Sequence, residues 1–204
     1  MLKQQFYILA KSFCNNQSLI DTCWLELEAN YSHKKRHYHN LAHLENLITQ
    51  LEQVKTQIQD WNAILFAVFY HDAIYKATKS DNELQSAELA KKRLAELNVP
   101  ITIIQPVYDL IMATKGHTVS SANDINLFTD ADLSILGFDW KSYHTYAKQI
   151  RNEYSIYPDL MYNPGRKKVL KHFLDMPRIF KTQFFYDKYE LQAHMNLKKE
   201  LELV

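Results

Sequence analysis

"WNAILFAVFYHDAIY", Trp61 to Tyr75, decides how the rest of the chain must be arranged. From Ala63 to Tyr70 a helix drawn through these residues is apolar on nearly every side. A helix without a polar face belongs in an interior. Asp60, just before it, is of a residue type that caps helix N-termini. The run is far shorter than the about 20 apolar residues needed to cross a bilayer, so it reads as a central core helix. It then reaches His71-Asp72, a pair that is costly to bury unless hydrogen bonds or a cation satisfy it.

Outward from that helix the pattern stays helical. Only 3 Gly and 5 Pro punctuate the 204 residues, too few for a many-turned β protein. Ser18 and Asp21 suggest a capping box for "SLIDTCWLELEAN", and Asn40 a cap for the helix carrying Leu41, Leu44, Leu47, Ile48, Leu51 and Val54. Asp81 is placed to cap "NELQSAELAKKRLAELN", which should end near Val99-Pro100. "PVYDLIMATK" should stop at a Gly116 cap, and "INLFTDADLSIL" at Gly137. Asp139 should start "WKSYHTYAKQIRNEY"; "NPGRKKVLKHFLD" and "YELQAHMNLKKELEL" complete the chain. The expectation is one all-α domain over residues 1–204, with roughly eight to ten helices.

Composition narrows the function classes. Hydrophobic residues are 47% of the chain, which fits a globular protein. With 24 Lys+Arg against 23 Asp+Glu the formal net charge is +1, which gives no general attraction to a nucleic-acid polymer or a membrane. Cys14 and Cys23 lack metal or redox spacing and read as reduced thiols. The apolar residues of the first segment are broken by Gln, Lys and Asn, unlike a signal peptide, so a cytoplasmic location is expected.

Three segments carry side chains with chemistry. "HYHNLAHLENL" (His37 to Leu47) places His39 and His43 four residues apart, on one face if the helix starts near Asn40. Asn40 stands where a zinc protease HExxH needs its glutamate, which excludes that reading. His71-Asp72 is either an internal hydrogen-bonded pair or part of a site. "FTDADLSILG" (Phe128 to Gly137) adds Asp130 and Asp132, which alone would also suit a solvated helix start. Imidazoles and carboxylates drawn from three helices match the donor set of a divalent ion such as Mn, Mg, Fe, Co, Ni or Zn.

In that order, His43, His71-Asp72 and Asp132 resemble the H…HD…D signature of the HD superfamily of metal-dependent phosphohydrolases. "YHNLAH" and "ADLS" are similar to motifs of its cyclic-nucleotide phosphodiesterases. "HYHNLAHL", "HDAIY", "NELQSAELA", "DADLSILG" and "IRNEY" resemble a bacterial group of predicted HD phosphohydrolases. The resemblance implies an HD-type helical bundle with His43, His71, Asp72 and Asp132 on one ion, Asp130 being the alternative to Asp132. It implies that His39 protonates a leaving group. His117 falls where some HD proteins add ligands for a second ion. Glu83 is read either as a water-orienting carboxylate or as a helix-start acid. Two departures from the phosphodiesterases, the missing additional His after the HD pair and the lack of an identifiable purine-clamping Gln, leave cyclic nucleotides as only one of the substrates that the resemblance implies.

The implied reaction is hydrolysis of a phosphoester or phosphoanhydride in a small phosphorylated metabolite, a nucleotide foremost. There is no GxxxxGK[ST] loop to cradle phosphate. Phosphate contact is therefore expected from cations, with Arg36 and Lys76 flanking the motifs and Lys115, Arg151 and Arg166 behind them. The other reading is a catalytically silent metal- or nucleotide-binding module on the same scaffold.

Overall fold

The computed structural model describes Met1–Val204 and is all-helical, without a strand. In chain order the helices are α1 (Leu2–Lys11), α2 (Gln17–Tyr31), α3 (Leu41–Glu52), α4 (Trp61–Tyr70) and α5 (Asn82–Glu96). They continue as α6 (Ile101–Ala113), α7 (Asn123–Leu133), α8 (Trp140–Glu153), α9 (Asp159–Leu174) and α10 (Gln183–Leu203). Short 3-10 turns span Lys55–Gln57 and Ser134–Gly137. The chain forms two compact units, Met1–Thr129 and Asp130–Val204, with the boundary inside α7. No helix is long and apolar enough to cross a membrane.

In the first unit α4 packs against α1, α3, α5 and α6. Every side chain from Ala63 to Tyr70 is buried, as the absence of a polar face requires. Phe6 of α1 meets Phe69 edge-on, with ring centroids 5.2 Å apart, and Trp24 of α2 closes the same cluster. Polar groups are confined to the two ends of α4. At its start the Asp60 carboxylate accepts the Ala63 N–H at 2.9 Å, a cap that contributes about 1 kcal/mol. Asp124 of α7 accepts the N–H groups of Gln59 and Asp60, both at 2.9 Å.

Several helix signals resolve differently from the sequence expectation. Asn16, not Ser18, caps α2 by accepting the Leu19 N–H, while Asp21 accepts bonds from Tyr7 and Gln17 instead of closing a capping box. Helix α6 begins well before "PVYDLIMATK", at Ile101, and holds Pro106 inside it. The proline costs one ladder bond, but Ile104 and Val107 on either side of it are buried. Gly116 is not in the left-handed region; the residue there is His117, with φ 47°.

In the second unit α10 packs on α8, α9 and the Ser134–Gly137 turn. Asn196 of α10 donates to the carbonyls of Leu136 and Phe138, both at 2.8 Å, and so pins the turn. Gly137 is needed for space and not for an unusual φ. A Cβ there would lie 2.6 Å from the carbonyl oxygen of Tyr189 and 2.8 Å from its Cα. Because those atoms belong to backbone, they cannot swing aside. Gly137→Ala should therefore cost about 1–3 kcal/mol, the usual range for overpacking, and thermal denaturation would show a lowered midpoint.

Candidate metal centre

The first unit brings four of the expected residues together at the C-terminal end of α4. Helix α3 starts where Asn40 accepts the Ala42 N–H at 2.9 Å, which fixes His43 in the first turn and leaves His39 just outside the helix. Helix α4 ends at Tyr70, so the His-Asp pair lies at its cap and not within it, as the longer apolar helix had suggested. His71 and His43 are buried, at 1% and 4% exposure.

The geometry is convergent. His71 Nε2 lies 3.1 Å from His43 Nε2 and 3.2 Å from Asp72 Oδ2. The same Asp72 oxygen lies 3.9 Å from His43 Nε2 and 4.0 Å from His39 Nε2. Nδ1 of His71 is 3.0 Å from the Val68 carbonyl oxygen, an atom that only accepts. That contact places the ring hydrogen on Nδ1 in the neutral imidazole. Nε2 then presents a lone pair to a second imidazole nitrogen and a carboxylate.

A proton is a poor solution to this arrangement. One hydrogen on His71 Nε2 points at either neighbour but not both, and two imidazolium N–H groups cannot face each other across 3.1 Å. A divalent cation accepts lone pairs from all of these atoms, and an imidazole anchored through its other nitrogen to a carbonyl is the usual form of a metal-binding histidine. The donor set therefore fits a cation. Burial alone pushes the Asp72 carboxyl up. The imidazoles of His71, His39 and His43, in the states where they carry an added proton, outweigh burial and hold it well below the usual carboxylate range. Asp72 is thus ionised, as a ligand must be.

Neighbouring groups fix these residues. The Tyr75 ring stacks on His39 with centroids 4.1 Å apart, and Tyr38 lies against both His39 and His43. The Tyr31 hydroxyl accepts the Asp72 N–H at 3.2 Å. Ser86, on the buried face of α5, bonds both the N–H and the carbonyl of Ile74. Neither Tyr31 nor Ser86 stands out in the sequence reading. The only trace of Ser86 is a hydroxyl beside Ala87 and Ala90 on an otherwise apolar helix face.

The remaining candidates are scattered in role. Asp130 and Asp132 lie two positions apart on α7, roughly 200° around a helix, so they cannot face the same point. Asp130 is fully buried and accepts the N–H groups of Lys181 and Thr182, the Thr182 hydroxyl and the Lys181 ammonium. It organises the segment before α10, which corrects its place as an alternative metal ligand. Asp132, half-buried, is on the other side of α7. Glu83 lies in the first turn of α5, where a carboxylate complements the helix dipole. His117 follows α6 in its left-handed conformation.

Among the expected phosphate contacts, the three arginines are engaged within the protein. Arg166 is buried and bonds Glu200 through two nitrogens at 2.7 and 2.8 Å, and Tyr143 donates to the same carboxylate. Arg151 bonds Asp159 and the carbonyls of Tyr154 and Tyr157. Arg36 donates to the carbonyls of Asp72 and Ala73. Lys76 and Lys115 are exposed.

Asp130→Ala should leave the Lys181 ammonium buried without its carboxylate and destabilise the protein by about 3–5 kcal/mol. Divalent-ion binding by the folded variant should match the unmodified protein, as measured by calorimetric titration. Compared with protein-family models, with curated proteins and with solved structures, the chain finds no match.

Proposed function

We propose that the chain is a metal-dependent phosphohydrolase of the HD type, acting on a phosphoester or phosphoanhydride of a small phosphorylated molecule, foremost a nucleotide. One observation carries the proposal. Nε2 of His71 faces a second imidazole nitrogen and an ionised carboxylate at 3.1 and 3.2 Å, with its own hydrogen held on the opposite ring nitrogen. His43, His71 and Asp72 would hold the ion. Asp132, the last carboxylate of the signature that the sequence resembles, would complete it. When bound, such an ion makes water more acidic and polarises a phosphoryl oxygen.

The chain's own residues supply the rest. Asp72 orients the attacking water and shares the proton that this water releases to solvent. The water oxygen bonds to phosphorus while the bond to the leaving oxygen breaks. His39, held by the face of Tyr75 and 18% exposed at its side chain, donates a proton to that leaving oxygen. Lys76 and Lys115, exposed and of opposite charge to phosphate, are the cations that contact the substrate.

The test is an assay of nucleotides and simple phosphoesters with Mn, Mg, Fe, Co, Ni and Zn supplied in turn. Turnover should require one of these ions and stop on chelation. Asp72→Ala should lower both ion affinity and turnover by at least about 100-fold. Turnover that survives this substitution rejects the assigned residues. Ion binding without turnover of any tested phosphate compound would instead assign the silent binding module.

A further inference from the structure

We infer that Arg36 is a positioning residue of the metal centre, tying the segment that carries His39 to the turn that carries Asp72. The inference rests on the metal-centre reading above and adds a residue that the cluster itself does not contain.

The four cluster residues are not equally supported by regular structure. His43 is carried by α3, and the ring of His71 has its own anchor in the Val68 carbonyl. His39 and Asp72 lie outside the helices, on irregular chain whose path must be set by something else. Arg36 touches both segments. Its Nη1 donates to the Asp72 carbonyl at 2.5 Å and to the His39 carbonyl at 3.3 Å, and its Nη2 donates to the Ala73 carbonyl at 2.9 Å.

The guanidinium is itself held in place. Its central carbon lies 5.0 Å from the Tyr31 ring centre and 5.7 Å from that of Tyr75. Tyr75 stacks on His39, and the Tyr31 hydroxyl accepts the Asp72 N–H. Both polar groups of the Asp72 backbone are therefore fixed, the N–H by Tyr31 and the carbonyl by Arg36. A carboxylate on so short a side chain goes where its backbone puts it. Both terminal nitrogens of Arg36 are spent on carbonyl oxygens, which is the geometry of a tie between loops and not of a group presented to phosphate. A planar fork spans two neighbouring carbonyls, which a lysine ammonium cannot reproduce.

The experiment uses the full chain, stripped with chelator and titrated with Co2+ while its visible absorption is followed. Arg36→Met should keep the helical circular-dichroism signal but bind Co2+ about tenfold or more weakly, with a changed absorption band. Arg36→Lys, which retains a cation between the two rings, should fall between Met and Arg. It carries the measurement if the Met variant does not fold. Affinity and spectrum equal to the unmodified protein in both variants would overturn the inference, as would a rise in KM for a phosphorylated substrate as the sole defect. If the unmodified chain binds no Co2+, Mn2+ or Zn2+, the metal-centre reading fails and this inference falls with it. That outcome is distinct from a defect confined to the variants.

Discussion

The bond between His71 Nδ1 and the Val68 carbonyl governs the arrangement around it. Near the end of any helix the last carbonyls lack partners, and a side chain that satisfies one removes a local cost. Here the partner is an imidazole, and satisfying the helix also decides which ring nitrogen stays available. The consequence propagates outward. Nε2 is turned toward His43 on α3 and toward Asp72 on the next residue, so the end of α4 is where two distant segments of chain acquire a common focus.

Support for that focus comes from groups with no direct share in it. Tyr31, Arg36 and Ser86 each bond the short irregular stretch after α4, and Tyr75 within that stretch meets Arg36 and His39. The second unit uses charge differently. Asp130 is consumed by the segment at Lys181 and Thr182, and Arg166 and Glu200 satisfy one another in the interior. Removing one member of such a buried pair is costly because its partner is left charged and unsolvated. These are groups that hold structure, although by residue type alone they look like chemistry.

Much of this was legible in the sequence where one physical rule dominates. An apolar run with no polar side had to be central, and Asn40, Asp60 and Asp139 cap helices as their residue types require. Of the ligand set His43, His71, Asp72 and Asp132 read from the sequence, the first three meet at the end of α4, with His39 beside them. The rest turned on relations between distant residues. Nothing local in "TDAD" shows that Asp130 will be claimed by N–H groups some 50 residues later. A basic run such as "HKKRHYH" cannot reveal that Arg36 reaches back into the fold. Asn16 prevailed over Ser18 as a cap because helix starts are decided within a single turn, where several residue types compete.

A helix normally learns which way to turn about its axis from the contrast between its greasy and its wet side. Helix α4 has no such contrast, since Ala63 to Tyr70 are all enclosed. Its rotational setting must come from its tips, from Asp60 and Asp124 at one and from His71 and its neighbours at the other. The residues assigned to chemistry therefore also serve as an angular reference for the core. Replacing them would change how firmly the central rod is indexed.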